Sequence, residues 1–153
     1  MQVLEKIIIH DIIEVTTVSI PKGRYIKISD RPSYGLSFCE EGQIKYTHNG
    51  NEYVSDNKHA IILPQGQNYT LQGEKSGIYY VVNFICDEPI FDTVKLYPIQ
   101  NIKAFINDFQ QLKKLILFPE NRLKIIGTFY QMLHRLSSYS VPCNIILRAI
   151  KYI

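Results

Sequence analysis

Leu63-Pro64-Gln65-Gly66-Gln67-Asn68-Tyr69 separates two short runs of strand-forming residues, His59–Leu63 and Tyr69–Gln72. Proline fixes φ and lacks an N–H, and glycine takes positive φ freely, so the heptapeptide reads as a tight connection between strands. The same pattern extends in both directions. Ile12–Ile20, Tyr25–Ser29, Gly35–Glu40, Gln43–His48, Glu52–Val54 and Ile78–Cys86 are each rich in β-branched or aromatic residues, which suit a pleated, half-buried surface. His48-Asn49-Gly50-Asn51 is the clearest hairpin signal, because Asn-Gly readily adopts the positive φ angles of a type I′ turn. Ser55-Asp56-Asn57-Lys58 and Gly73-Glu74-Lys75-Ser76-Gly77 read as further turns. So many closely spaced strands cannot hide both edges in an open sheet, and a sandwich or barrel is expected.

Beyond Pro89 and Pro98 the hydrophobic period changes. Within Asn101–Phe118, residues Ile102, Phe105, Ile106, Phe109, Leu112 and Ile116 recur at helical spacing on one stripe. Pro119 then opens a second helical stretch, Glu120–Leu136, with Leu123, Ile126, Phe129, Tyr130, Leu133 and Leu136 on its apolar side. A helical hairpin follows, and its apolar stripe has two readings. It packs against the β unit, or it forms a dimer interface through Ile102, Phe105, Phe109, Leu112, Leu115 and Ile116, since Leu115 and Leu117 extend the first helix beyond one stripe. Ser137-Ser138-Tyr139-Ser140, with Val141-Pro142, reads as a short linker. Asn144–Ile153 begins a new helical pattern that ends on apolar residues without a cap, as at the entrance to another domain. The expected organisation is a β unit with an N-terminal arm over 1–98, a helical hairpin over 99–140, and a linker with the start of a further domain over 141–153.

Composition narrows the functional classes. With 153 residues of which 46% are hydrophobic, the chain can bury a sizeable core and does not resemble a disordered segment. A formal charge of +3, without clustering, does not make a nucleic-acid surface. Cys39, Cys86 and Cys143 are odd in number and lack C-x-x-C spacing, so neither a disulfide framework nor a zinc knuckle is expected. The N-terminus has charges inside its apolar run, unlike a signal peptide, and no apolar stretch is long enough to cross a bilayer. A soluble, cytoplasmic protein without membrane partners is the expectation.

Several pieces, in this order and spacing, resemble the ligand-binding domain of AraC-type transcription regulators. They are Asp30-Arg31-Pro32, Tyr34-Gly35-Leu36-Ser37-Phe38, Glu41-Gly42-x-Ile44-x-Tyr46, Ile62-Leu63-Pro64-Gln65-Gly66, Tyr69, and Tyr79-Tyr80-Val81-Val82-Asn83-Phe84. The resemblance implies a mainly β chain with C-terminal α structure: a cupin-like antiparallel β-barrel, or double-stranded β-helix, followed by an α-helical hairpin. It also implies that Ile146–Ile153 opens a DNA-binding domain that is otherwise missing here, so that DNA contact would come only through that domain.

Metal-dependent cupins hold their ion with histidines and a glutamate, ligands suited to Mn, Fe, Ni or Zn. Anchoring the first cupin motif on Gly42 puts its glutamate position at Gly35 and its histidine positions around Ile28 to Arg31. The histidine of the second motif falls on Tyr69. None of these positions carries a ligand, and His10, His48, His59 and His134 show no paired ligand spacing. No metal, cofactor or catalytic residue is expected.

Arg31 falls where a ligand histidine would lie, and the resemblance aligns it with a sugar-contacting arginine. A guanidinium offers five donors in a fixed fork, suited to hydroxyls or a carboxylate. The alternative is a surface salt bridge with Asp30 or Glu40. If Tyr69 points inward, strand alternation turns Leu71 inward with it. The resemblance, aligned on Phe84, puts Tyr79 and Val81 at pocket-lining positions. Asn83 shares their face, and Ser37 and Cys39 would face in on the preceding strand. The candidate ligand-binding set is therefore Arg31, Ser37, Tyr69, Leu71, Tyr79, Val81 and Asn83. These residues either surround a pocket or plug a small barrel. Val81 stands where the arabinose-responsive relatives carry an aromatic, so arabinose itself is not implied.

The leading expectation is an effector-binding and dimerisation domain of an AraC-type regulator, homodimeric, whose effector is a small organic molecule of sugar type. A metal-dependent cupin enzyme and a stand-alone sugar-binding cupin are the competing readings.

Overall fold

In the computed structural model, which describes residues 3–87 and 92–139, the alternating segments become strands. They are β1 (Ile9–Ile20), β2 (Tyr25–Ile28), β3 (Tyr34–Cys39), β4 (Gln43–His48), β5 (Asn51–Ser55), β6 (His59–Leu63), β7 (Tyr69–Lys75), β8 (Gly77–Cys86) and β9 (Lys95–Pro98). Asn49 and Gly50 hold positive φ, 51° and 80°, and His48 lies directly across from Asn51, so these two residues alone close the β4–β5 hairpin.

Every ladder is antiparallel. The strands form two sheets, one in the order β1-β8-β3-β6-β9 and one in the order β2-β7-β4-β5. The sheets face each other across a core in which Ile20, Cys39, Ile61 and Tyr79 of the first meet Ile44, Tyr46, Tyr69 and Leu71 of the second. The back of the first sheet is covered as well. Leu36, Phe38, Val82 and Phe84 pack there against α1 (Ile102–Leu115) and α2 (Arg122–Tyr139). Phe38 meets Phe105 edge-on at 4.6 Å between ring centroids, and Phe84 meets Phe129 at 4.9 Å. Each such ring, fully buried, contributes roughly 1.5–3 kcal/mol of apolar transfer.

This layering explains the burial patterns. Strand β3, caught between the second sheet and the helices, is buried at all of its residues. Strand β4 has solvent on its outer face and alternates buried with half-buried residues.

The helices are fixed at identifiable points. The Asn101 side chain accepts from the Ala104 N–H at 3.1 Å and caps α1. Pro119 opens a 3-10 turn, Pro119–Asn121, that leads into α2. Between the helices the buried Asp108 accepts from Arg135 Nε at 2.6 Å, which removes the cost of an unpaired buried charge.

The structure corrects several expectations. Gly73 lies inside β7 and not in a turn, because the β1–β2 connection crosses it closely. The Gly73 N–H donates to Arg24 O, Gly73 O accepts from the Gly23 N–H at 2.7 Å, and a Cβ on Gly73 would meet Pro21 O. The four-residue β9, too short for a visible alternation, went unread; its Pro98 is tolerable on an edge strand. Residues near the N-terminus are not a free arm: Leu4, Ile7 and Ile9 are buried in the helix-side core, and β1 begins at Ile9. On α2, Leu123 is 85% exposed, while Ile125 and Met132 take buried places.

The stripe assigned to dimerisation is spent on the first sheet. Phe105, Phe109 and Leu112 are fully buried within the chain, and Ile102, Leu115 and Ile116 pack partly buried against the same cluster. The linker expected from Ser137 does not begin there, because α2 continues through Tyr139. Its remainder from Ser140 and the new helix over 144–153, with Cys143, lie outside the described residues.

A cleft between the sheets around Arg31

The connection Leu63–Tyr69 grips the segment that carries Arg31. Gly66 N–H donates to Arg31 O at 2.7 Å, Arg31 N–H donates to Gln67 O at 3.2 Å, and the Asn68 side chain accepts from the Asp30 N–H at 2.7 Å. Gly66 meets the turn with φ of +78°. Asp30 itself sits at φ 48°, a left-handed conformation that Asp tolerates better than most residues. Two loops distant in sequence thus hold one side chain in place.

The Arg31 guanidinium points inward and is 9% exposed. Its Nε donates to the Tyr69 hydroxyl at 3.0 Å. Its Nη1 donates to Ser33 O at 2.7 Å and lies 3.3 Å from Ser33 Oγ, and its Nη2 donates to Asn83 Oδ1 at 2.8 Å. Asn83 in turn donates from Nδ2 to Glu14 Oε1 at 2.9 Å. The guanidinium rests directly over Gly35, where a Cβ would overlap Nη2. The surface salt bridge with Asp30 or Glu40 is therefore not formed; every acceptor on Arg31 is a neutral oxygen.

Around this group lies a cleft of about 220 Å³ between the two sheets. All seven sequence-derived candidates, Arg31, Ser37, Tyr69, Leu71, Tyr79, Val81 and Asn83, line it. Their roles differ. The Tyr79 ring forms wall, but its hydroxyl turns away to donate to Lys75 O at 3.0 Å, and burial pushes its pKa up to about 12. Cys39 is buried beside the cleft without lining it, and burial pushes its thiol up to about 12.

Sequence reasoning missed the β1 side of the cleft, namely Glu14, Thr16, Val18 and Ile20. The cause is an irregularity in the β1–β8 register between Ile12 and Glu14. Ile9 and Ile12 face the helices, and the extra residue turns Glu14 and its alternate neighbours toward the cleft. A bulge leaves no signature in period-two patterning. Tyr46 was also missed. It is buried beside Tyr69 with ring centroids 5.9 Å apart, and burial, reinforced by Tyr69, raises its hydroxyl above the ordinary range despite a hydrogen bond with Ser37. Its place was readable from alternation with Ile44.

Apart from Arg31 and Glu14, the lining is uncharged, and much of it is the aliphatic carbon of Ile26, Ile28, Ile44, Leu63 and Leu71. No group of three His, Cys, Asp or Glu side chains able to hold a metal ion occurs among the described residues.

No protein-family model matches the chain, and no curated protein matches it. Solved structures do. ToxT from Vibrio cholerae strain SCE256, in a crystal structure with an unsaturated fatty acid bound, aligns over 86% of this chain and 57% of its own, at 12% identity and a TM-score of 0.54. ToxT from Vibrio cholerae O395 aligns over 80% and 54%, at 13% identity and a TM-score of 0.53. The likeness is one of fold. With it, the two facing antiparallel sheets and the helix pair give the fold class expected from sequence, mainly β and cupin-like with a C-terminal helical pair, although the strands form two sheets and not a closed barrel. The chain spans little more than half the length of these structures. The cupin domain of Schizosaccharomyces pombe Cnp3 aligns over 46% of the chain at a TM-score of 0.42, too low to argue from. Among the described residues no helix is long and apolar enough to cross a membrane.

Proposed function

We propose that this chain is the effector-binding domain of an AraC-type transcription regulator, which holds a small organic molecule without metal in the cleft between its sheets and performs no chemistry on it. The observation that carries the reading is Arg31: an almost buried guanidinium, held by loops and over Gly35, at the wall of an aliphatic cleft. Small-molecule sites have this composition, apolar walls with a few placed polar groups. Arg31 also stands over the backbone where a metal cupin would place its glutamate, and a fixed cation there disfavours a second one. The ToxT likeness supports the regulator context, and dimerisation and DNA contact through a further domain belong to the same proposal.

The expected sugar loses its support in the geometry. Val81 offers no ring to stack on, the Tyr79 hydroxyl points elsewhere, and the Asn83 amide is engaged at both ends by Arg31 and Glu14. A sugar ring needs several free donors and acceptors around it.

Thermal denaturation against a panel of sugars, organic acids and aromatic compounds tests the reading. At least one compound class raises the midpoint, and Val81→Trp, which fills the cleft, removes that response. Stabilisation that survives Val81→Trp places binding elsewhere and sinks the proposal, as does turnover of any bound compound.

A further inference from the structure

The cleft has a chemical polarity that selects its occupant. The guanidinium carries a full positive charge, yet Tyr69, Ser33 and Asn83 supply only neutral oxygens. These four contacts leave one of the five N–H donors of Arg31 unassigned, on Nη2. The Tyr69 oxygen accepts from Nε, which leaves its own hydrogen to donate. A buried charge compensated by neutral acceptors alone is unfinished, because an anion hydrogen-bonded to it recovers Coulomb energy that dipoles do not supply.

Resting on the reading of the cleft as an effector site, we infer that its ligand is a small monocarboxylate with an apolar body. The carboxylate sits against Arg31 Nη2 and the Tyr69 hydroxyl. The body lies along Val18, Ile26, Ile28, Ile44, Leu71 and Val81, which present carbon. Glu14 sets the number of negative groups. Linked to Arg31 only through Asn83, it is exposed at the cleft mouth and repels a second carboxylate at the far end of a ligand. Volume sets the length. A cavity of about 150 Å³ takes one benzene, so about 220 Å³ takes about nine non-hydrogen atoms. That suits a short-chain or aromatic acid, whereas a long-chain fatty acid would have to project from the mouth of the cleft in this conformation.

Calorimetric titration of the 153-residue chain with benzoate and octanoate, set against benzamide, octanamide, suberate and oleate, tests the assignment. At least one of the two acids binds, its amide binds about tenfold more weakly or worse, and suberate is also weaker than octanoate. Arg31→Gln removes the preference for acid over amide, and Arg31→Lys keeps part of it. Circular dichroism checks that each variant folds, and the acid–amide comparison on the unaltered chain decides the matter even if neither does. Equal binding of acid and amide, or binding of sugars alone, overturns the carboxylate assignment while leaving an effector cleft in place. Tighter binding of oleate than of octanoate overturns the size limit. If no compound binds and Val81→Trp changes nothing in the broader panel, both the assignment and the effector reading fall.

Discussion

At the scale of single residues, Gly35 is the least conspicuous and most informative position. The cupin alignment marks it as the place of a missing glutamate, and the structure shows what the absence of a side chain permits: the Arg31 guanidinium lies where a Cβ would be. Its backbone is not in the left-handed region, so alanine is acceptable to the chain itself and the conflict is with Arg31 alone. Gly35→Ala is expected to displace the guanidinium from Tyr69 and Asn83. Losing charge-assisted hydrogen bonds at a nearly buried site costs roughly 1–3 kcal/mol, visible as a lower midpoint in urea. Ligand affinity should fall with it, although residue 35 lines no part of the cleft. Unchanged melting and unchanged affinity together would show that Arg31 is not held by this contact. Arg31 was legible because the residue type is conspicuous at a ligand position; its partners Ser33 and Glu14 were not, since they meet it through a turn and a bulge.

At the scale of elements, the sequence disclosed those whose environment has two sides. Strands β4, β7 and β8 alternate. The inward residues named on β7 and β8 do line the cleft, while Ile44 and Tyr46 on β4 were left unassigned although their alternation was readable. The stripe on α1 was equally clear, but periodicity tells only that a face is apolar, not whether a sheet or a second chain covers it. Phe105, Phe109 and Leu112 went to the sheet. Strand β9 and the start of β1 were hidden, one by its length and the other by a change of phase. The turn between β5 and β6 adds a titratable element. Burial raises the Asp56 carboxyl, but hydrogen bonds from His59 and from the Lys58 N–H outweigh it and hold the group below its ordinary range. A carboxylate depressed in the folded state stabilises above its unfolded pKa, and that contribution disappears as pH falls through the folded value. Asp56→Asn should therefore lower the thermal midpoint at neutral pH and flatten its fall between about pH 5 and pH 2. Parallel acid profiles of the two proteins would assign acid sensitivity to other carboxylates.

At the scale of the whole molecule, β1 is the element that joins the cleft to the helices. Its first residues are tied to α2: Ile9 N–H donates to the Tyr130 hydroxyl at 2.8 Å, and His10 O accepts from Arg122 at 2.9 Å. Just before it, the Glu5 carboxylate accepts from Ser137 Oγ near the end of α2, which holds the Glu5 carboxyl below its ordinary range. The second half of the same strand brings Glu14, Thr16 and Val18 to the cleft, and Glu14 reaches Arg31 through Asn83. A ligand on the unassigned Nη2 N–H of Arg31 lies beside the Asn83–Glu14 link, and Glu14 follows directly on the bulge that separates the two halves of β1. Coupling requires that ligand affinity differ between two arrangements of this strand, and each site then acts on the other with the same free energy. Hydrogen exchange with and without saturating benzoate or octanoate tests it. Protection is expected along β1 and over α2, beyond the cleft residues of β7 and β8, and Tyr130→Phe should weaken the α2 component while leaving the cleft component intact. Protection confined to the cleft would make the helices a passive cover of the first sheet, and any signal to a further domain would need another route.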